Sequence, residues 1–307
     1  MLLKKTFALI IFSLPLILNA QSSTYHTYAD DEMKLAKMEK PVSIKMNFIK
    51  ELIEKKNNEI LKLSESPTKH IEQHNIDSLN KILDKLYERL TTVYFNFIRN
   101  NPSSLLSLHK LSMLLSRSAG LPLYVDTITT LYNHLNKSMQ NSVPGRHFKL
   151  MLINLNNSRV GSLAPAFTVN DINNYPIALS SFRNKEYVLL DFWASWCVSC
   201  RADIPYLKEI NKKYNPKGLQ IIGISKDDDI SLWKKAILEE KIENWMHILA
   251  PLSNQKNDSL ITNKYFVYSI PVMILINKEG IIIGRWNGSA DENMAELKKL
   301  LNKDIGN

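Results

Sequence analysis

Cysteine is scarce in this chain: two residues in 307. A disulfide framework of several bridges is therefore excluded, and a zinc site would have half of its usual ligands and no second pair. After residue 20 there is no apolar run long enough to cross a bilayer, which needs ~20 residues. There is also no low-complexity tract and no internal repeat of the kind a solenoid requires. No cysteine follows the first apolar run, so a lipid-modified N-terminus is not expected. Runs of one charge are missing too. The formal net charge is +9, yet residues 21–160 carry 19 Lys/Arg against 13 Asp/Glu in an interleaved pattern such as KKNNEILKLSESPTKH. That describes a solvated helical surface, not a nucleic-acid patch.

What is present begins with MLLKKTFALIIFSLPLILNA. Lys4 and Lys5 precede an apolar stretch from Thr6 to Leu18, interrupted by Pro15 and closed by Ala20. This is the pattern of a secretory signal peptide cleaved near Ala20, so the chain is expected to be exported, periplasmic or beyond, with no stable membrane insertion afterwards. With 45% hydrophobic and 22% charged residues, the remainder can bury a sizeable core. A length prior of ~100–200 residues per domain divides it in two.

Residues 21–42 are expected to be an extended N-terminal segment. Residues 43–155 read as a helical domain of four or five helices, with apolar residues at three- and four-residue spacing, as in Ile76, Leu79, Ile82, Leu83, Leu86 and Leu90. The stretch VPGR, Val143 to Arg146, is expected to close the fourth of these helices. His70 and His74 lie one turn apart, but no third ligand follows at a recognisable spacing, so they read as a solvated pair. At Val160–Gly161 the pattern changes. A hairpin turning at Asn173–Asn174 is followed by a strand (EYVLLDFWA), a helix from Cys197 to Tyr214, a strand (LQIIGIS), a helix (DISLWKKAILEE), a strand (VMILI), a turn (NKEG), a strand (IIIGRW) and a final helix. The order β-α-β-α-β-β-α over residues 160–307 is that of an α/β, thioredoxin-like domain with a central mixed sheet flanked by helices. A fragment beginning near Val160 is expected to fold alone.

Both cysteines lie in DFWASWCVSCRADIP, three positions apart. A structural staple gains most by closing a long loop, and this pair closes almost none. Cys197 falls instead where a strand passes into a helix, so its sulfur is expected to be exposed and to meet unpaired N–H groups and the positive end of the helix dipole, which favour thiolate. Cys200, one turn on, is near enough to close a disulfide with it. Because two sulfurs carry two electrons, no metal or organic cofactor is expected. Ser199, where a proline would remove an N–H, offers one more donor to the Cys197 sulfur. Asp191 lies inside an apolar strand, where burial raises a carboxyl pKa.

The segments VLLDFWASWCVSCRADIP, FVYSIPVMILINKEGIII and GSLAPAFTVND resemble the TlpA/ResA-type thiol–disulfide oxidoreductases, exported thioredoxin-like proteins of bacteria, over about residues 160–301. The resemblance implies a nucleophilic Cys197, a resolving Cys200, an Asp191 that exchanges protons with the inner thiol, and a cis bond at Ile270–Pro271 facing the sulfurs. Trp196 and the Ile270 backbone would meet the incoming chain. Asp203 stands where ResA-like proteins carry a glutamate; one methylene shorter, it would relay protons through a water. The expected partners are protein disulfides, apocytochrome c among them, and a membrane thiol donor. Two rival readings are a peroxiredoxin-like thiol peroxidase and a helical scaffold with a vestigial redox domain. The first lacks the activating threonine, since Ala194 stands three before Cys197.

Overall fold

The computed structural model describes residues 28–60, 67–117, 124–250 and 259–306. The expected signal peptide and the side chain of His70 lie outside the described residues. Among these residues, six helices form the N-terminal part: α1 (Tyr28–Ile60), α2 (Pro67–Asn100), α3 (Leu105–Arg117), α4 (Val125–His134), α5 (Lys137–Asn141) and α6 (Val143–Asn157). Among the described residues no helix is long and apolar enough to cross a membrane.

Residues 28–42, expected to be extended, are the first half of α1. The reason lies in packing: Leu35, Val42 and Met46 form one buried stripe, and Asp31, buried near the start of α1, accepts a hydrogen bond from Ser104 Oγ. Pro41 removes one helical N–H without ending the helix, because the residues on both sides of it are held against neighbouring helices. The stripe Leu86, Leu90, Tyr94, Phe97 of α2 meets α1 and continues the core through Leu111, Leu115, Ile128 and Phe148. VPGR does not only close a helix; it opens α6. Ser142 Oγ accepts the Gly145 N–H at 3.1 Å as an N-cap, and Pro144 occupies the first turn, where its missing N–H is not needed.

The C-terminal part starts with the antiparallel hairpin β1 (Thr168–Asn170) and β2 (Pro176–Ala178). Its turn contains Asn174 at φ 66°, a left-handed conformation that Asn tolerates. Then come β3 (Tyr187–Trp193), α7 (Val198–Tyr214), β4 (Leu219–Ser225), α8 (Ile230–Glu240), β5 (Met246–Leu249), α9 (Ser259–Lys264), β6 (Val272–Ile276), β7 (Ile282–Asn287) and α10 (Asp291–Ile305). The sheet order is β5-β4-β3-β6-β7, with β3, β4 and β5 parallel and β6 and β7 antiparallel. This is a thioredoxin-like fold preceded by a helical region. β5 and α9 were not expected: four residues at a sheet edge and six in a helix are too short for either periodicity to register.

Alternation along the strands sends Val188, Leu190 and Phe192 to one face, against α9 and the hairpin segment. Leu189 and Trp193 point to the other, against α7, α8 and α10. The two halves of the chain are not independent in packing. Phe266, in the C-terminal part, is fully buried within the cluster built by the N-terminal helices.

Candidate active site

β3 is apolar throughout except at Asp191, and it delivers the chain through a short loop to α7. Cys197 is the N-cap of α7, with its Sγ accepting the Cys200 N–H at 3.2 Å. The two sulfurs are joined in a disulfide. The donor on the Cys197 sulfur is thus the amide of Cys200; from Ser199 it is the side-chain hydroxyl that approaches, at 3.5 Å. An exposed Cys197 was expected, and the structure differs: it is 6% exposed and Cys200 3%. The pair packs into the apolar cluster under α7, and the exposed side chains are its neighbours, Trp196 at 58% and Val198 at 83%.

Asp191 is buried on β3, paired with Met273 of β6 on one side and Gly223 of β4 on the other. Burial and then repulsion from Asp203 push its carboxyl up to about 7. Asp203, on α7 one turn beyond Cys200, is also buried. Ser289 Oγ donates to its Oδ1, while its Oδ2 is buried without a hydrogen-bond partner. Burial raises the Asp203 carboxyl, the Ser289 hydrogen bond opposes that shift, and nearby Asp291 adds to it. The sheet register continues the row from Gly223 to His247 of β5. A Cβ at Gly223 would lie 3.0 Å from His247 Nδ1 and 3.2 Å from Trp193 Nε1, so glycine leaves the room these two rings occupy beside Asp191.

The Ile270–Pro271 peptide bond is cis, and Ile270 packs against the cluster that contains both cysteines. The Pro271 carbonyl accepts the Gly288 N–H at 2.9 Å. Trp196, Cys197, Cys200 and Asp203 thus lie at or within the first turns of α7, and Ile270, next to the cis Pro271, packs against the same apolar cluster as the two cysteines.

Sequence reasoning missed Asp227. Buried at the end of β4, its carboxylate accepts from Ser195 N–H at 2.8 Å, Ser195 Oγ at 2.6 Å and Ser225 Oγ at 2.6 Å. It fixes the loop that brings Cys197 to the head of α7. In the sequence it is one of three consecutive acids, Asp227 to Asp229, and nothing local separates the buried one from Asp229, the N-cap of α8. Asp227→Ala is expected to destabilise the fold by about 2–4 kcal/mol, since it strands a half-buried amide and two hydroxyls. A denaturant midpoint within error of the wild type would contradict this.

The family model described as AhpC/TSA family matches residues 160–285. Thiol-disulfide oxidoreductase ResA of Bacillus thuringiensis subsp. konkukian is 31% identical over 143 residues, covering 46% of this chain and 78% of that protein. ResA of Geobacillus kaustophilus is 30% identical over 121 residues, covering 39% of this chain and 65% of that one. The crystal structure of the thioredoxin domain of a thiol-disulfide oxidoreductase from Bacteroides vulgatus shares 34% identity at a TM-score of 0.41, covering 47% of this chain and 99% of that one. With a paired Cys197 and Cys200 at the head of α7 in a thioredoxin-like sheet, and with ResA relatives matched over most of their own length, the chain belongs to the ResA-type thiol-disulfide oxidoreductases.

Proposed function

We propose that this oxidoreductase is exported and reduces protein disulfides, with Cys197 as the attacking thiol and Cys200 as the resolving one. The observation that carries the reading is the N-cap geometry: an amide N–H aimed at the Cys197 sulfur at 3.2 Å, at the positive end of a helix of 17 residues. In the reduced protein the Cys197 thiolate attacks one sulfur of the substrate disulfide. A mixed disulfide forms and the substrate's other sulfur leaves as a thiolate, which takes up a proton. Asp191 accepts the Cys200 proton, and the Cys200 thiolate attacks Cys197 Sγ. The internal disulfide forms, and the second substrate sulfur leaves and is protonated. The substrate gains two electrons and two protons, and the protein loses them; a membrane thiol donor then restores the dithiol.

The reducing direction is proposed and is tested by the redox equilibrium below; the raised carboxyl of buried Asp191 suits it to take the Cys200 proton. Protein disulfides, apocytochrome c among them, are the proposed substrates, met by exposed Trp196 and by the Ile270 backbone beside Pro271. Residues 160–307 carry the chemistry in this reading, and the basic helical part before them recruits or restricts substrates. Thiol peroxidase chemistry is less well served: three residues before Cys197 stands Ala194, which has no hydroxyl, and the adjacent Ser195 hydroxyl is engaged by Asp227.

Two measurements test the proposal. Alkylation of the reduced protein at mildly acidic pH is expected to label Cys197 first, and preferential labelling of Cys200 would reverse the assignment. Equilibration with glutathione is expected to give a couple more reducing than glutathione itself; a more oxidising one would make the protein an oxidase.

A further inference from the structure

The segment between α9 and β6, residues 265–270, ends at Ile270, which packs against the apolar cluster that contains both cysteines. It is held from several sides, and one of its anchors belongs to the other half of the molecule. Phe266 has no exposed surface and sits in the apolar cluster of α1 to α6. To reach it the backbone adopts φ 52° at Phe266, a left-handed conformation that a bulky aromatic residue rarely takes. Arg285 of β7 is half-buried and forks across consecutive carbonyls, Nη1 to Tyr265 O at 2.8 Å and Nη2 to Phe266 O at 3.1 Å. The same Nη1 lies 3.5 Å from the carbonyl of Ser158, the residue that ends α6. Lys226, next to Asp227, directs its Nζ toward Val267 O and Tyr268 O at 3.4 and 3.5 Å. Tyr268 in turn stands edge-on to the Phe266 ring, with centroids 4.7 Å apart.

We infer that Phe266 and Arg285 are positioning residues through which the helical part sets the place of the 265–270 segment, and so of the Ile270 backbone that receives the substrate. The physical reason is that a left-handed aromatic residue persists only when its surroundings hold it. The hold is a pocket made by the N-terminal helices, closed by a guanidinium whose planar fork matches two carbonyls. The N-terminal helices are therefore part of the construction of the redox site as well as a surface beside it. The inference rests on the reading that this segment meets the substrate, and the experiment separates the two.

In the full-length chain, Phe266→Ala is expected to raise KM for reduction of insulin about tenfold with kcat little changed, while the reaction with Ellman's reagent, which needs no extended contact, stays as in the wild type. Phe266→Leu, which refills the pocket, should restore KM. Arg285→Lys keeps the charge and loses the fork, and should raise KM in the same direction. Amide exchange at residues 267–270 should quicken in Phe266→Ala and in Arg285→Lys, with protection of β3 unchanged. If Pro271→Ala leaves KM for insulin as it was, the segment is not where substrate binds, and both that reading and the inference fall. If Pro271→Ala raises KM while a folded Phe266→Ala does not, the inference alone is overturned. Failure of both Phe266→Ala and Arg285→Lys to fold would also overturn it, in favour of a purely structural role.

Discussion

Cys197→Ser is expected to lower the rate of protein-disulfide reduction by about three orders of magnitude or more, while Cys200→Ser attacks substrate normally and then halts as a mixed disulfide. The two cysteines are near-equivalent in burial, at 6% and 3% exposed, so accessibility does not decide between them. Position on the helix does. Cys197 is the cap residue, with the Cys200 amide pointing at its sulfur, whereas Cys200 lies inside the first turn and directs its own amide toward Cys197. A thiolate is therefore stabilised at Cys197 and not at Cys200. Incubating Cys200→Ser with a protein extract from the exported compartment and separating the products without reductant should yield disulfide-linked adducts that disappear in the double variant. Adducts formed by Cys197→Ser instead would exchange the two roles.

Asp191→Asn is expected to stabilise the oxidised protein at neutral pH and to slow its redox cycle. The carboxyl goes from an ordinary 3.8 to about 7 on folding, and at about 1.4 kcal/mol per unit this strain is on the order of 4 kcal/mol. The sign follows from proton binding. Between about pH 4 and pH 7 the folded state keeps a proton that the unfolded state has released, so stability falls as pH rises through that window and the whole penalty is present above it. Asparagine carries no charge, so the unfolding free energy of the variant should lose this slope and exceed the wild type by about a few kcal/mol at pH 8. The same change removes the proposed acceptor for the Cys200 proton, so release of substrate from the mixed disulfide should slow, most of all near neutral pH. Equal stabilities of variant and wild type at pH 5 and pH 8 would rule out a buried Asp191 charge as the source of the slope, and an unchanged release rate would remove Asp191 from the proton path.

Much of the C-terminal fold was legible because its signals are local. β3, β4 and β6 are short apolar runs bounded by turns, α7, α8 and α10 have helical spacing, and a cysteine pair at a strand-to-helix junction has few other uses. The helical part was legible as helices but not in extent. Residues 21–42 read as extended and VPGR as a stop, yet buried contacts of Leu35, Val42 and Met46 carry α1 through Pro41, and Ser142 turns the stop into a start.

The sequence by itself determined the chemistry: the two sulfurs and their separation, the acid placed within an apolar strand, and the proline at the head of β6. It could do so because each of these depends on residues close in the chain. What only tertiary structure decided is which groups surround them. Asp227 became the anchor of the Cys197 loop through contacts across 32 residues of chain. Ser289 reached Asp203 over 86 residues. Phe266 was assigned to the core of the other half, because burial depends on what the folded chain brings to an aromatic ring, and no window around that ring contains it.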